Sequence, residues 1–238
     1  MARVERPRHE LVNVVLNSLN SQFLSECMCY FGGGTRIVLE LDEYRESLDI
    51  DFLCADKKGY RALRSTIAHN SLGAICSRSL QLLREVRADM YGIRTFFVVD
   101  DNPIKFEIIS EGRIPLEGES IQDIPVESLN HVSCIAEKLL ENADRYRDTS
   151  TNSRDIVDLA FMTASWSKVD LTEGWFRAEE AYGDAAITGL LSALDGLEQP
   201  KVRKSCIRNL TLTNPRKLDR GLELLRQFCE SNDIQPLR

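Results

Sequence analysis

The alternating run Ser47–Phe52, with the sequence SLDIDF, constrains the fold of this chain more than any other segment. Because successive side chains of a β-strand point to opposite faces, Asp49 and Asp51 are predicted on one face and the apolar residues on the other. Two adjacent carboxylates repel each other, and Mg²⁺, which prefers oxygen ligands, relieves that repulsion. The run therefore predicts either a strand that holds a divalent cation or the solvent-facing edge of an amphipathic strand.

Three consecutive glycines precede this run, and thirteen residues separate Thr35 from Asp49. Glycine adopts positive φ without steric cost and lets a ligand approach the backbone closely. Apolar residues after Thr35 recur at helical spacing, so the turn is predicted to lead into a helix whose N-terminal N–H groups favour an anion. Gly33, Gly34 and Thr35 are candidates for binding phosphate; the alternative is an ordinary strand-to-helix turn with a threonine cap.

Composition excludes several classes of protein. The chain has 238 residues, of which 43% are hydrophobic and 28% charged, as expected for a globular protein with a proper core. No apolar run approaches the ~20 residues that span a bilayer, and the N-terminal residues lack the apolar stretch of a signal peptide, so a cytoplasmic protein without membrane association is expected. Seven cysteines without a Cys-x-x-Cys pair argue against a disulfide framework or a zinc site.

A basic segment, residues 201–226, contrasts with the net charge of −7. It contains eight cationic residues and only two acids. Such a segment is a candidate surface for RNA phosphates; the alternative is a pair of amphipathic helices with solvated basic faces.

The pattern of elements predicts an α+β fold, with a mixed sheet flanked by helices in residues 1–125 and an all-helical domain in residues 126–238. Predicted strands are a short one before the glycine turn, Asp49–Leu53, Leu80–Ala88, Tyr91–Asp100 and Ile104–Ser110. Predicted helices are Leu11–Leu24, a helix from the glycine turn to about Tyr44, Gly59–Ile75, His131–Arg147, Ser153–Ser165, Ala178–Leu197, Lys201–Leu210 and Asn214–Ser231.

A third carboxylate, Glu107, lies in the predicted strand Ile104–Ser110, on the face that also carries Lys105. It is a candidate to complete a metal site with Asp49 and Asp51. The alternative is a cross-strand ion pair with an arginine of an adjoining strand.

Two helical blocks also carry candidate residues. Lys138 lies beside the apolar stripe of its helix, where it can reach a neighbour. Asp155 lies in the first turn of the next helix, where the macrodipole favours a carboxylate, and Asp158 is close to the same face. A structural ion-pair network and a functional site would have the same pattern here.

Taken in order, these motifs resemble the AbiEii/AbiGii-type nucleotidyltransferase toxins, a family of the polymerase-β-like nucleotidyltransferases. The resemblance runs from about Phe23 to Ala160. It rests on four segments in fixed order: Gly33-Gly34-Thr35, Arg45–Phe52, Glu137-Lys138-Leu139 and Arg154–Leu159.

The resemblance implies a bilobed enzyme that transfers a nucleoside monophosphate from an NTP such as ATP or GTP to an acceptor hydroxyl. It implies that Gly34 and Thr35 meet the triphosphate, that Asp49 and Asp51 bind Mg²⁺, and that Lys138 neutralises phosphate charge. Asp155 would be the further essential acid of the helical lobe. The chain departs from the superfamily pattern at two positions, with Glu107 where Asp is common and Thr35 where Ser is common.

Members of this family act as toxins, often on tRNA, and are usually countered by a separately encoded antitoxin. RNA or protein is therefore the expected acceptor, and an antitoxin the expected partner. Two alternatives stay open on the sequence alone: a non-catalytic nucleotide- or protein-binding module on the same fold, and an enzyme that modifies a small molecule such as an antibiotic.

Overall fold

The computed structural model describes residues 6–68, 71–232 and 234. The strands are β1 Cys29–Gly32, β2 Ile50–Cys54, β3 Arg87–Ala88, β4 Gly92–Val99, β5 Asn102–Ser110, β6 Gly118–Glu119 and β7 Ser128–Leu129. The α-helices are α1 Pro7–Leu16, α2 Ser21–Glu26, α3 Gly33–Glu40, α4 Lys57–Ser65, α5 His131–Arg145, α6 Arg154–Thr163, α7 Lys168–Tyr182, α8 Asp184–Glu198, α9 Pro200–Asn209 and α10 Pro215–Ser231. Among the described residues, no helix combines the length and apolarity needed to cross a membrane.

The chain forms two compact units. The first comprises the residues up to Glu43 together with Ser47–Asn130, and the second comprises Tyr44–Glu46 and the chain from His131 onward. Three residues of the segment between α3 and β2 therefore belong with the helical unit. The predicted boundary at residue 125 precedes β7, which belongs to the first unit.

The first unit is built on a mixed sheet in the order β3-β4-β5-β2-β1-β7-β6. Strand β2 pairs antiparallel with β1 and parallel with β5, while β4 and β5 form an antiparallel hairpin. One face of the sheet is apolar: the rings of Phe31, Phe52, Phe106 and Phe97 follow one another with centroids 5.3–5.9 Å apart. Apolar residues of α1, α2 and α4 belong to the same buried cluster, so the predicted α+β class is confirmed.

The β4–β5 hairpin turns over two residues, Asp100 and Asp101, both with positive φ. Asp is among the few non-glycine residues that tolerate this conformation, and two such residues in succession make the tight hairpin turn that matches strand twist. The sequence predicted the turn at Asp101–Pro103, one residue too late, because Asn and Pro are common turn residues.

Several predicted boundaries are wrong. The predicted helix Leu11–Leu24 is interrupted between α1 and α2, where the Asn20 side chain accepts a hydrogen bond from the Phe23 N–H and caps α2. The predicted helix Gly59–Ile75 ends with α4 at Ser65, and its residues 69 and 70 lie outside the described part of the chain. Of the predicted strand Leu80–Ala88, only the last two residues form a strand, β3.

The second unit is helical, and α5 packs against α6, α7 and α8 while α10 packs against α6. At Gly221 a β-carbon would lie 1.9 Å from the Ala160 carbonyl oxygen, so glycine is required for this close approach of α10 to α6. The sequence predicted one helix over Ala178–Leu197. The structure has two, α7 and α8, which meet at Gly183 with φ +51°.

Candidate active site

The glycine turn and strand β2, which carries Asp51, meet in the first unit. Gly32 ends β1 opposite Asp51 of β2, and Gly33 begins α3 with φ +66°. A β-carbon on Gly33 would lie 2.7 Å from Asp51 Oδ2, so this carboxylate fits against the turn only if residue 33 is glycine. The two motifs that the sequence separates by thirteen residues are thus neighbours in space.

A row of paired residues crosses four strands at this point. Asp51 of β2 is aligned with Gly32 of β1 and with Glu107 of β5, and Glu107 is aligned with Arg94 of β4. Ile50 is completely buried, so Asp51 belongs to the face opposite the apolar core, as the alternation predicts. Asp49 directly precedes β2, not within it as predicted, and its charge acts on Lys105 of the same face. We call this side of the sheet the acid face, defined by Asp49, Asp51, Lys105, Glu107 and Arg94.

Two cations engage the carboxylates of the acid face. Lys105 Nζ lies 2.7 Å from Glu107 Oε2 and 3.8 Å from Asp51 Oδ1. Arg94 Nε donates to Glu107 Oε1. Burial favours the neutral forms, but Lys105 and Arg94 outweigh it and lower the pKa of Glu107. Burial likewise opposes the charge of Lys105, and Glu107, Asp51 and Asp49 outweigh it and raise the pKa of Lys105.

The predicted third metal ligand is therefore held in ion pairs. The cross-strand pair with an arginine that the sequence left as the alternative for Glu107 is present, with Arg94 as the partner. Within the described ranges, no three His, Cys, Asp or Glu residues are grouped so that they could hold one metal ion. Asp49 and Asp51 supply the carboxylate oxygens that Mg²⁺ prefers, and the role of Glu107 as a ligand stays a prediction.

Thr35 is completely buried in the first turn of α3. Its hydroxyl lies 2.9 Å from the Ser47 hydroxyl. The side chain thus makes an internal contact, and its predicted contact with phosphate stays a prediction.

Lys138 and Asp155 belong to a buried network in the second unit. Lys138 Nζ contacts Glu141 and lies 3.3 Å from Asp155 Oδ1 and 3.4 Å from Asp158 Oδ2. Arg145 donates to both oxygens of Asp155, at 2.6 Å and 2.8 Å. The Lys138 side chain is only 3% exposed, so its charge is stabilised by these carboxylates and not by water.

Asp158 has partners that the sequence did not identify. Arg45 donates two parallel hydrogen bonds to its carboxylate, each of 2.7 Å, and the Tyr44 hydroxyl donates a third of 2.6 Å. The Tyr44 ring stacks on Phe161 with centroids 3.8 Å apart. The segment Tyr44–Glu46 is thereby anchored on α6. We call Arg45, Lys138, Arg145, Glu141, Asp155 and Asp158 the buried charge cluster.

The ion pairs of the buried charge cluster determine its protonation. Burial alone would raise the pKa of Asp155 and Asp158, but Lys138 and Arg145 lower the first, and Arg45 and Lys138 lower the second. Burial would lower the pKa of Lys138, yet Glu141, Asp155 and Asp158 raise it. The pKa shifts of Lys138, Asp155 and Asp158 therefore all favour the charged forms at neutral pH.

The basic segment contains some cations in ion pairs and others that are exposed. Arg203 contacts Asp219, and Arg226 lies 2.8 Å from Glu198. On α9, three exposed cations are spaced three and four residues apart and so share one side of the helix. We call this set, Lys201, Lys204 and Arg208, the α9 stripe.

The model of the nucleotidyl transferase AbiEii toxin family, of type IV toxin–antitoxin systems, matches residues 14–223. This span includes the glycine turn, the acid face and the buried charge cluster. The chain belongs to the AbiEii nucleotidyltransferase toxin family. Membership supports a nucleotidyltransferase toxin, for which a type IV system implies an antitoxin and an NTP substrate.

Solved structures that match this AbiEii family member include the following three. JHP933 from Helicobacter pylori is 17% identical over 95% of this chain and 93% of that one, with a TM-score of 0.47. MenT4, a nucleotidyltransferase toxin from Mycobacterium tuberculosis, is 14% identical over 94% and 95%, with a TM-score of 0.40. An antigenic nucleotidyltransferase-like protein from Paracoccidioides brasiliensis is 13% identical over 83% and 92%, with a TM-score of 0.41. A comparison with curated proteins gives no match.

Proposed function

We propose that this protein transfers a nucleoside monophosphate from an NTP to an acceptor hydroxyl in a Mg²⁺-dependent reaction that releases pyrophosphate, as the toxin of a toxin–antitoxin or abortive-infection system. The observation that carries the proposal is the contact of Asp51 with the glycine turn. A backbone suited to phosphate and a carboxylate suited to a divalent cation lie side by side there. Family membership supports the class of reaction.

In this reaction the acceptor oxygen forms a bond to the α-phosphorus, and the bond from that phosphorus to the bridging oxygen of the β-phosphate breaks. Pyrophosphate leaves with the electron pair of the broken bond, and the proton of the acceptor hydroxyl passes to solvent. Asp49 and Asp51 are the residues that would hold magnesium, which when bound stabilises the charge that develops at phosphorus. The N-terminus of α3, at Gly33 and Gly34, favours the anionic triphosphate.

The remaining candidate residues take supporting roles. We assign Glu107 to holding Lys105 beside Asp51, because its carboxylate is 2.7 Å from Lys105 Nζ. Lys138 as the cation that neutralises phosphate and Asp155 as a further essential acid are proposals that the family resemblance supports. Their mutual ion pair, 3.3 Å long, gives both residues a structural task as well.

The acceptor is proposed to be RNA, such as tRNA, bound in part by the α9 stripe. These cations are exposed on one side of a helix, as phosphate contacts require. A small-molecule acceptor would not need them. Reversing the charge of Lys201, Lys204 and Arg208 is expected to lower labelling of RNA by about tenfold or more at moderate salt. The matched control reverses three exposed cations of α4, namely Lys57, Lys58 and Arg61, and should retain most of the labelling.

The decisive experiment incubates the protein with each α-labelled NTP, with and without Mg²⁺, and with total cellular RNA or protein. Transfer of label to a macromolecule supports the proposal and identifies the acceptor and the preferred NTP. Calorimetry with Mg²⁺ and the same NTPs runs in parallel. Binding without any labelled product would contradict the proposed reaction and support a non-catalytic binding module, while label in a small molecule alone would contradict the RNA acceptor.

A further inference from the structure

Ser47, two residues before Asp49, is held at two points. Its hydroxyl lies 2.9 Å from the Thr35 hydroxyl. Its backbone N–H donates to Nε2 of His9, 3.2 Å away. One residue thus links the first turn of α3, the segment just before β2 and helix α1.

His9 is completely buried and is itself supported. Its Nδ1 lies 3.2 Å from Glu43 Oε2, and the same oxygen accepts a 2.7 Å hydrogen bond from the Arg6 backbone N–H. Because Nε2 accepts the Ser47 N–H, that nitrogen carries no hydrogen, so a neutral imidazole has its hydrogen on Nδ1, on the side of Glu43. The imidazole is therefore oriented by contacts on both of its nitrogens.

This chain of contacts connects the glycine turn with the segment that carries Asp49 and Asp51. Thr35 directly follows Gly33 and Gly34, and Ser47 lies two residues before Asp49 and four before Asp51. We propose that Ser47 is a positioning residue, supported by His9, that fixes the spacing between the glycine turn and the two acids. This inference rests on the proposed function, since it concerns how the same site binds a Mg²⁺–NTP complex.

A purely structural role is the competing explanation, because buried polar groups need partners in any fold. The two explanations differ in what a variant changes. If Ser47 positions the site, removing its contact with the Thr35 hydroxyl weakens binding of the nucleotide. If the contact is only structural, removing it lowers the stability of the protein and leaves nucleotide binding unchanged.

The test compares Ser47→Ala, Thr35→Val and the double variant, with Ser47→Thr as the conservative change that keeps a hydroxyl. Each single variant is expected to raise KM for the NTP and the Kd for Mg²⁺–NTP by about tenfold, and the double variant by no more than the larger single effect, because both changes remove the same contact. Ser47→Thr should regain most of the loss. Ser65→Ala is the matched control, since this exposed hydroxyl donates to a carbonyl of its own helix, and should leave both constants unchanged.

His9 supplies an independent pair of variants. His9→Gln keeps an acceptor oxygen in reach of the Ser47 N–H, and His9→Leu removes it at similar volume. The Leu variant is expected to weaken binding of Mg²⁺–NTP and to speed hydrogen exchange of the Ser47 amide, and the Gln variant to restore both in part. If His9→Leu does not fold, the Ser47 variants alone decide.

Two outcomes separate this inference from the proposed function. If the wild-type protein binds Mg²⁺–NTP but labels nothing, the proposed reaction fails, and the Kd values of the variants still decide on the positioning role. Additive effects of the Ser47 and Thr35 changes, or a Kd unaltered in Ser47→Ala, would overturn the positioning role even in an active enzyme. An absence of all nucleotide binding by the wild type would overturn both.

Discussion

The acid face and the buried charge cluster use the same kinds of residues in opposite ways. In the buried charge cluster, three cations and three carboxylates contact one another directly, and Asp158 has no exposed side-chain surface. On the acid face, the three carboxylates outnumber the two cations, which contact Glu107 and Asp51, and the Asp51 side chain keeps 21% of its surface exposed. The first arrangement is balanced within the protein, and the second has an excess of negative charge that solvent can reach.

This difference indicates which set of residues needs a ligand. A buried charge without a partner is costly, so the cluster in the second unit must be complete before any ligand arrives. The Asp51 carboxylate beside the glycine turn keeps contact with water and remains accessible to a cation and a triphosphate. Charge balance thus favours the proposed placement of the metal and triphosphate at the acid face, and it gives the cluster a stabilising task beside the roles proposed for Lys138 and Asp155.

The largest expected effect is on the acid face. Asp51→Asn removes one charged oxygen donor without changing the shape of the side chain. It should lower incorporation of nucleotide by about a thousandfold, a loss typical of removing a group that acts on developing charge in a reaction. Incorporation is measured with the labelling assay, and the unfolding temperature checks that the fold persists.

Asp101→Asn is the matched control for this change. Asp101 is exposed in the β4–β5 turn with φ +61°, a conformation that Asn also tolerates. It should leave incorporation unchanged. Equal activity of Asp51→Asn and the wild type would remove the acid face from the mechanism.

The buried charge cluster should respond in stability. Asp158→Asn leaves the buried guanidinium of Arg45 and the ammonium of Lys138 without their shared carboxylate, which is expected to lower the free energy of unfolding by about 3–5 kcal/mol. Urea denaturation followed by circular dichroism measures this. Asp195→Asn, at an exposed ion pair with Arg226, should change it by less than about 1 kcal/mol. Similar small losses in both variants would contradict the structural task of the cluster.

Low pH should reduce the stability that the buried charge cluster provides. The pKa values of Asp155 and Asp158 are lowered in the folded protein, so their stabilisation is present above their unfolded pKa of about 3.9 and is lost as pH falls through the lower folded values. The wild type should therefore lose stability steeply below about pH 4. Urea titrations at a series of pH values give the free energy of unfolding as a function of pH. This free energy should fall less steeply with decreasing pH in Asp158→Asn than in the wild type; equal slopes would show that this carboxylate is not the cause.

The smallest expected effect is at Glu107. Glu107→Gln keeps an acceptor for Lys105 and Arg94 but loses the charge. The side chains of both cations are more than a third exposed and stay hydrated without it, so the loss should be about 1 kcal/mol and incorporation should fall by less than about tenfold. Labelling kinetics over a range of Mg²⁺ concentrations measure this. A loss as large as that of Asp51→Asn, partly recovered by high Mg²⁺, would instead make Glu107 a third metal ligand.

The acid face was predictable because its signals are local. Alternation in β2 and β5 gives the faces of Asp51 and Glu107, and consecutive glycines give the turn. The position of β7 was not predictable, since two residues carry no periodicity, and neither was the break at Gly183, where the apolar pattern continues into α8. Arg45 was missed as a partner of Asp158 because the two are 113 positions apart in the sequence and no spacing rule connects such positions.

Because Tyr44–Glu46 belong to the helical unit, that unit cannot be isolated by a single truncation. A fragment that starts at His131 would contain α5 to α10 yet lack Arg45 and Tyr44. Asp158 would keep its ion pair with Lys138 but lose the three hydrogen bonds that Arg45 and Tyr44 donate. Such a fragment would have an incomplete interior despite containing every helix of its unit. The second unit is therefore continuous in space but not in the gene, and any truncation, circular permutation or fusion that respects it has to keep residues 44–46.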